Sequence, residues 1–212
     1  MLDPNFPAEP GRFWTPQGET PEYLRNFGKF PNIEDWLPGD VVLVSSVKPD
    51  WVTRKIIETQ SRSYDPDHAR WQHAAIYMGN GFLAEATTRG VKYHSVQNYV
   101  GHYYLQVRRN PNLTADQRWL VAIEAGVRLR EAYRYADIFT IYRRSFPKLS
   151  RQIRPNVMIQ ASSVICSQLC QDAHAKVTNR LIVSLAVNPV VPAALSQTEM
   201  LNDVRTCWCA IR

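Results

Sequence analysis

The stretch that decides the fold runs from Gln72 to Ala86 and reads QHAAIYMGNGFLAEA. An apolar run begins at His73, the residues Gly79-Asn80-Gly81 interrupt it, and a second apolar run follows. Successive side chains of a strand point to opposite faces, and asparagine with glycine is typical of a tight hairpin turn. The stretch therefore predicts a β-hairpin with a histidine on one strand and the carboxylate of Glu85 on the next.

The length of the turn decides whether Glu85 can reach His73. A two-residue turn at Asn80-Gly81 would point Glu85 away from the strand face on which His73 lies. A three-residue turn, or a bulge, would place Glu85 opposite Ala75 and on the His73 face. We expect one of the latter two; without them, Glu85 is a solvated strand carboxylate.

A cysteine lies far downstream, in the stretch SSVICSQLC from Ser162 to Cys170. The apolar residues there have helical spacing and Ser162 and Ser163 are typical N-cap residues, so we expect Cys166 in the first turn of a helix. A helix N-terminus and a neighbouring imidazolium both favour the reactive thiolate form of a cysteine. The alternative is that Cys166 is an ordinary buried cysteine.

Cys166, His73 and Glu85 together provide the side chains of a catalytic triad: a thiol nucleophile, a base and a carboxylate that orients the base. We therefore predict an enzyme, in which the backbone N–H of Cys166 also contributes to an oxyanion hole. We expect neither a cofactor nor a metal. The other three cysteines, Cys170, Cys207 and Cys209, are predicted to be packing residues, because a lone Cys-x-Cys pair is a weak zinc site.

These residues resemble the NlpC-type branch of the papain-like cysteine peptidases, in which a strand of the form His-Val-Gly-Ile-Tyr-x-Gly-x-Gly precedes a polar residue and an alanine. The chain matches that pattern, apart from Ala74-Ala75 in place of Val-Gly, at His73, Ile76, Tyr77, Gly79, Gly81, Glu85 and Ala86.

The cysteine follows the histidine here, as in the circularly permuted group of YiiX-like and YebB-like proteins and relatives of lecithin retinol acyltransferase. That group has a Cys-Ser-Glu-Leu type sequence, and this chain has Cys166-Ser167-Gln168-Leu169. The resemblance spans Leu37 to Asp203. It implies an α+β, permuted papain-like fold, with the nucleophile helix packed against a small antiparallel sheet.

The resemblance also implies a hydrolase that cleaves an amide bond, with a peptidoglycan stem peptide as substrate. The same fold hosts lipid-directed acyltransferases and thioesterases, so this activity is an alternative. A non-catalytic binding module with a structural triad is a second alternative. The N-terminal residues MLDPNFPAEPGRFW lack the basic and apolar regions of a secretory signal peptide. We therefore expect a protein that is cytoplasmic at synthesis and exported by a specialised secretion system, as an antibacterial effector with an immunity protein as partner.

Composition predicts one globular domain, because 212 residues with 45% hydrophobic content can bury a substantial core. Residues 1–38 hold half of the 14 prolines and many aromatic residues. We predict that they form an irregular arm, without a regular helix, packed on a catalytic domain of residues 39–212. Within that domain we predict strands at Val41–Ser46, at the two hairpin runs, in GVKYHSV and in YYLQVRR, and helices from Asp50 to Gln60 and from a capping box at Thr114 and Gln117 to about Ala132.

The net charge of +6 is concentrated between Arg118 and Arg154, where nine basic residues stand against three acidic ones. Such a segment favours an anionic polymer or an anionic membrane surface as partner; the alternative is a solvated face. Nucleic acid is not expected, because no recognised binding motif accompanies the charge.

Overall fold

The computed structural model describes residues 1–16, 18–87, 90–127, 154–184 and 190–212, with the backbone alone for residues 154–165. In chain order its strands are β1 (Phe13–Trp14), β2 (Lys29–Pro31), β3 (Val41–Ser46), β4 (His73–Gly79), β5 (Phe82–Thr87), β6 (Gly90–Ser95), β7 (Tyr103–Arg109), β8 (Asn202–Asp203) and β9 (Trp208–Ile211). Its helices are α1 (Glu22–Phe27), α2 (Trp51–Gln60), α3 (Pro66–Ala69), α4 (Ala115–Val127), α5 (Arg154–Thr178) and α6 (Pro192–Gln197). Two 3₁₀ turns lie at Ile33–Asp35 and Val96–Tyr99.

Six strands form an antiparallel sheet in the order β6-β5-β4-β3-β7-β8. The five strands that the sequence predicts, β3 to β7, all belong to it. The fold is therefore α+β with an antiparallel sheet, as expected. The short strand β8 was not predicted, because two residues are too few to show an alternating pattern.

The sheet is buried on both faces and separates two apolar clusters. On the helix side, Leu43 and Ile76 pack with residues of α4, α5 and α6. On the other side, Val42 and Tyr77 pack with the N-terminal arm and Trp208 of β9. Because neighbouring residues of a strand point to opposite faces, the two central strands contain uninterrupted apolar runs, at residues 41–44 of β3 and 74–78 of β4.

The ends of two helices are fixed by the capping residues in the sequence. The side chain of Asp50 accepts a hydrogen bond from the backbone N–H of Thr53 and begins α2. At the start of α4 the predicted capping box forms: Gln117 N–H donates to the Thr114 hydroxyl at 3.2 Å, and Thr114 N–H donates to the Gln117 side chain at 3.1 Å. The structure describes α4 as far as Val127, so its predicted end near Ala132 lies outside the described residues.

Three residues of the N-terminal arm, Leu24, Phe30 and Trp36, are buried in the apolar cluster on the side of the sheet opposite α5. The prediction that the arm contains no regular helix was wrong, because residues 22–27 form α1. That interval is free of proline, which falls at Pro21 and next at Pro31. The arm also pairs with the other end of the chain: β1 and β2 flank β9 in a three-stranded sheet. Among the described residues, no helix is both long and apolar enough to cross a bilayer.

Candidate active site

A bulge in the β4–β5 hairpin turns Glu85 toward His73. Asn80 and Gly81 both have positive φ, 51° and 77°, as in the two-residue turns that favour Asn-Gly. This turn pairs Gly79 with Phe82, but the register then shifts, so that Ile76 pairs with Ala84. The backbone accommodates this register shift at Gly79, whose φ is 93°. Glycine adopts such a positive φ at little cost in energy because it has no Cβ. The same register sets Glu85 opposite residue 75, on the His73 face, as the bulged alternative predicts.

The imidazole of His73 and the carboxylate of Glu85 are directly bonded. Nε2 of His73 lies 2.7 Å from Oε2 of Glu85. Glu85 is 2% exposed, whereas the His73 side chain is 24% exposed and reaches the surface. A buried carboxylate thus holds the ring of a partly accessible histidine, which is the role expected of the third member of a triad.

Two further side chains bond to the same carboxylate. The hydroxyl of Tyr99 donates to Oε2 of Glu85, and Nδ1 of His94 pairs with Oε1. Burial alone would raise the pKa of Glu85, but the hydrogen bonds and charges of His73, Tyr99 and His94 outweigh it and lower the pKa. Glu85 is therefore held as a carboxylate. Its Oε2 bonds to both His73 and Tyr99, and its Oε1 bonds to His94.

Tyr99 and His94 were missed in the sequence analysis. Tyr99 ends the 3₁₀ turn after β6, and its ring stacks near that of His73 with centroids 6.4 Å apart. His94 pairs with Leu83, two residues before Glu85 on the same face of β5. The signal was present in GVKYHSV: once Glu85 is assigned to a face, antiparallel pairing with β6 brings alternate residues of that strand to it.

Cys166 lies on α5 and bonds to the other side of the His73 ring. Its side chain is fully buried with Leu169, Cys170 and Ala173 against the helix side of the sheet. Strand alternation places the side chain of His73 on the opposite face of the sheet from this helix. His73 is the first residue of β4, so its side chain can meet that of Cys166 around the end of the sheet. A hydrogen bond joins them. Since Nε2 of His73 is bonded to Glu85, Nδ1 is the nitrogen left for the thiol.

The pKa of His73 reflects these two neighbours. Burial would lower it, but the charge and hydrogen bond of Cys166, followed by those of Glu85, raise the pKa of His73 from its ordinary 6.5 to about 10. An imidazole placed between a thiol and a carboxylate gains stability when it is protonated. The arrangement can therefore take up the proton of the thiol and hold it.

The predicted position of Cys166 in its helix was wrong. The helix begins at Arg154, so Cys166 lies about three turns inside it and Ser162 and Ser163 are interior residues rather than N-caps. No glycine or proline follows Pro155 to interrupt the helix, and proline itself is tolerated in a first turn. The helix dipole therefore gives little help to the thiol, since its effect is confined to the first turn. The backbone N–H of Cys166 belongs to the helical hydrogen-bond ladder, so its predicted part in an oxyanion hole was also wrong.

The other cysteines lie apart from the hydrogen bonds of this site. None of the four, all of which the structure describes, is in a disulfide. Cys170 is buried one turn after Cys166, and burial raises its pKa well above the ordinary value. Cys209 is buried as expected, whereas Cys207 is half-buried beside Glu9; burial and the Glu9 hydrogen bond raise the pKa of Cys207 to about 12.

The described residues contain no group of three histidine, cysteine, aspartate or glutamate side chains that could hold a metal ion. Most of the basic segment lies outside the described residues. Of its members, Arg118 bonds to the backbone of Asn110 and lies near Asp40, so its charge is directed inward.

No family model, curated protein or solved structure matches this chain. Its function is therefore argued from the geometry of His73, Glu85 and Cys166.

Proposed function

We propose that the protein is a cysteine hydrolase with Cys166 as nucleophile, His73 as base and then acid, and Glu85 as the residue that orients His73. One observation supports this most strongly: the His73 ring is bonded on one side to a buried carboxylate and on the other to a thiol. A nucleophile, a base and an orienting group in this order are the parts of covalent acyl transfer.

The proposed reaction begins after the proton of Cys166 has passed to His73, when the sulfur of Cys166 attacks a carbonyl carbon. The C–N bond of the amide then breaks, His73 gives the proton to the departing nitrogen, and a thioester to Cys166 remains. Water attacks the thioester with His73 as base, which releases a carboxylic acid and restores the thiol. Glu85 stays ionised throughout and stabilises the imidazolium.

The fold that we propose is the permuted papain-like one. The long helix that contains the cysteine packs against an antiparallel sheet and follows the histidine strand in the chain, which is the order implied by the resemblance. Strands β3 to β7 supply the sheet.

On the same resemblance we propose an amide in a peptidoglycan stem peptide as substrate, with delivery by a specialised secretion system and an immunity protein as partner. An acyl lipid is the second candidate, because the fold that the resemblance implies also hosts lipid-directed acyltransferases and thioesterases. Both substrates would use the same thioester chemistry.

The test is incubation of the purified protein with peptidoglycan and, separately, with acyl lipids, followed by mass spectrometry of the products. We expect a new amine and carboxylic acid in the first arm, and their loss in Cys166→Ala. Cys170→Ala is the matched control, since this thiol lies one turn away and should leave turnover intact. Products only in the lipid arm would support the second candidate. Absence of products in both arms, or products that persist in Cys166→Ala, would contradict the hydrolase.

A further inference from the structure

A second imidazole, that of His94, bonds to the carboxylate that holds His73. Nδ1 of His94 pairs with Oε1 of Glu85. The other oxygen, Oε2, is shared by Nε2 of His73 and the hydroxyl of Tyr99. The two oxygens of one buried carboxylate thus have different partners, and the reaction proposed above gives the partner of Oε1 no part.

The pairing of β5 with β6 brings His94 to Glu85. His94 lies opposite Leu83, and Lys92 lies opposite Glu85. Glu85 and His94 are therefore diagonal neighbours on one face of the sheet, about 7–8 Å apart between Cα atoms, a distance that long side chains span. Lys92 is closer in register, yet no ion pair joins it to Glu85, although the structure describes both residues. The contact thus depends on the imidazole of His94 and not on the mere proximity of a cation.

His94 connects the surface to a buried charge. Its side chain is 38% exposed, whereas that of Glu85 is 2% exposed. Burial raises the pKa of Glu85, but the bonds and charges of its partners outweigh burial and lower the pKa. An ionised carboxylate only accepts hydrogen bonds, so Nδ1 of His94 carries a hydrogen, whether the ring is neutral or protonated. His94 is therefore a hydrogen-bond donor to Glu85 in either state.

A carboxylate that is bonded through one oxygen alone is free to turn. The last torsion of a glutamate side chain is broad and roughly two-fold, so strand register does not fix the plane of the Glu85 carboxylate. His73 and Tyr99 both bond to Oε2. A donor at Oε1 supplies the second fixed point and so defines that plane. It also satisfies an oxygen of a buried charge, which is costly to leave without a partner.

We propose that His94 is a positioning residue of the triad: its Nδ1–H holds Oε1 of Glu85, which keeps Oε2 aligned with Nε2 of His73. This inference rests on the proposed hydrolase, because it assigns a role within the same triad. His94 acts through Glu85 and not on the substrate. The requirement is a hydrogen-bond donor at the position of Nδ1, and not a positive charge.

The first measurement is steady-state kinetics on the substrate that the wild type turns over. His94→Ala should lower kcat by about tenfold with little change in KM, because the base loses its alignment while no substrate contact is removed. His94→Asn should recover most of this loss, since its amide nitrogen can donate from nearly the position of Nδ1. Lys92→Ala is the matched control: it removes a charged side chain opposite Glu85 and should leave kcat unchanged.

The second measurement needs no substrate. In isotope-labelled protein, the Nε2–H of His73 should give a far-downfield proton resonance, because its hydrogen bond to a buried carboxylate is charge-assisted. This resonance should broaden or disappear in His94→Ala, and it should persist in His94→Asn and Lys92→Ala. Circular dichroism checks that each variant is folded. His94→Leu, which removes the donor but keeps more of the side-chain volume, replaces His94→Ala if the latter does not fold.

A wild-type kcat in His94→Ala would overturn the proposal. A fall in kcat with an unchanged His73 resonance would overturn it too, because His94 would then act by other means than alignment. Equal impairment of His94→Asn and His94→Ala would show that the charge or shape of the ring matters rather than its donor. If the wild type turns over no substrate, the proposed hydrolase fails, whereas loss of the resonance in His94→Ala alone would still show that His94 aligns Glu85 with His73.

Discussion

Nε2 of His73 lies 2.7 Å from the buried Oε2 of Glu85, and the same ring bonds to Cys166. The imidazole of His73 is thus bonded to two side chains, and both favour its protonated form. Its protonation state depends on each of them, and this dependence can be measured.

Removing the thiol should lower the pKa of His73. Among the interactions that raise it toward about 10, the charge and hydrogen bond of Cys166 come first and those of Glu85 follow. In Cys166→Ala we therefore expect the His73 ring to titrate at a lower pH than in the wild type, as followed by NMR. An unchanged His73 titration in this variant would contradict the contact. Cys170→Ala should leave it unchanged.

The raised pKa also predicts how stability varies with pH. The unfolded chain releases the His73 proton near the ordinary 6.5, whereas the folded chain holds it to about 10. The proton therefore stabilises the fold fully below pH 6.5, and this contribution is lost as pH rises through about 10. Urea unfolding of the wild type and His73→Gln should give free energies whose difference shrinks over this window. A difference that is constant from pH 6 to 10 would show that His73 is not protonated preferentially in the folded state.

Glu85→Ala should lower kcat by about 100-fold, because the His73 ring loses the group that orients it. Glu85→Gln should lose less. Its carbonyl oxygen can still accept from His73 and Tyr99, although the charge that stabilises the imidazolium is gone. Neither variant should match His73→Ala, which removes the base. Wild-type rates in Glu85→Ala would reduce the proposed triad to Cys166 and His73.

The hairpin and the pairing of Glu85 with His73 were predictable from the sequence because their signals are local. Gly79, Asn80 and Gly81 mark the turn, and strand alternation then limits Glu85 to two faces. The bulge that chooses between these faces was one of two alternatives that the sequence left open. The sequence itself shows that His73 precedes Cys166 in the chain.

The remaining features depend on contacts that no local pattern shows. The pairing of β1 and β2 with β9 joins opposite ends of the chain. The start of α5 was misplaced because two serines gave a stronger cap signal than Pro155, although serine costs little inside a helix. Tyr99 reaches Glu85 through a 3₁₀ turn that follows β6, beyond the strand whose alternation could be extrapolated.

Tyr99→Phe should shift the acid limb of the activity profile to higher pH. The Tyr99 hydroxyl is one of three groups that lower the pKa of Glu85, whereas burial raises it. Loss of the hydroxyl should therefore raise the pKa of Glu85. Protonated Glu85 no longer stabilises the imidazolium, and kcat/KM should fall at a higher pH than in the wild type. Tyr103→Phe is the control, since the Tyr103 ring packs edge-on against Tyr99 with centroids 5.3 Å apart. An equal shift in both variants would indicate general loosening of the aromatic pair rather than loss of the hydroxyl.

Mild alkylation should label Cys166 before the other thiols, even though Cys207 is more exposed. Cys166 has the imidazole of His73 beside it, and such a neighbour activates a thiol for attack. Cys207 has the carboxylate of Glu9 instead, and burial with this hydrogen bond raises the pKa of Cys207 to about 12. Burial holds Cys170 protonated as well.

Iodoacetamide, being small, should reach Cys166 from the side where the His73 ring is exposed, and peptide mass mapping at low conversion should find the label on residue 166. His73→Ala should slow this labelling and leave that of Cys207 unchanged. If Cys207 is labelled first in the wild type, accessibility rather than activation governs reactivity, and Cys166 is a buried structural thiol.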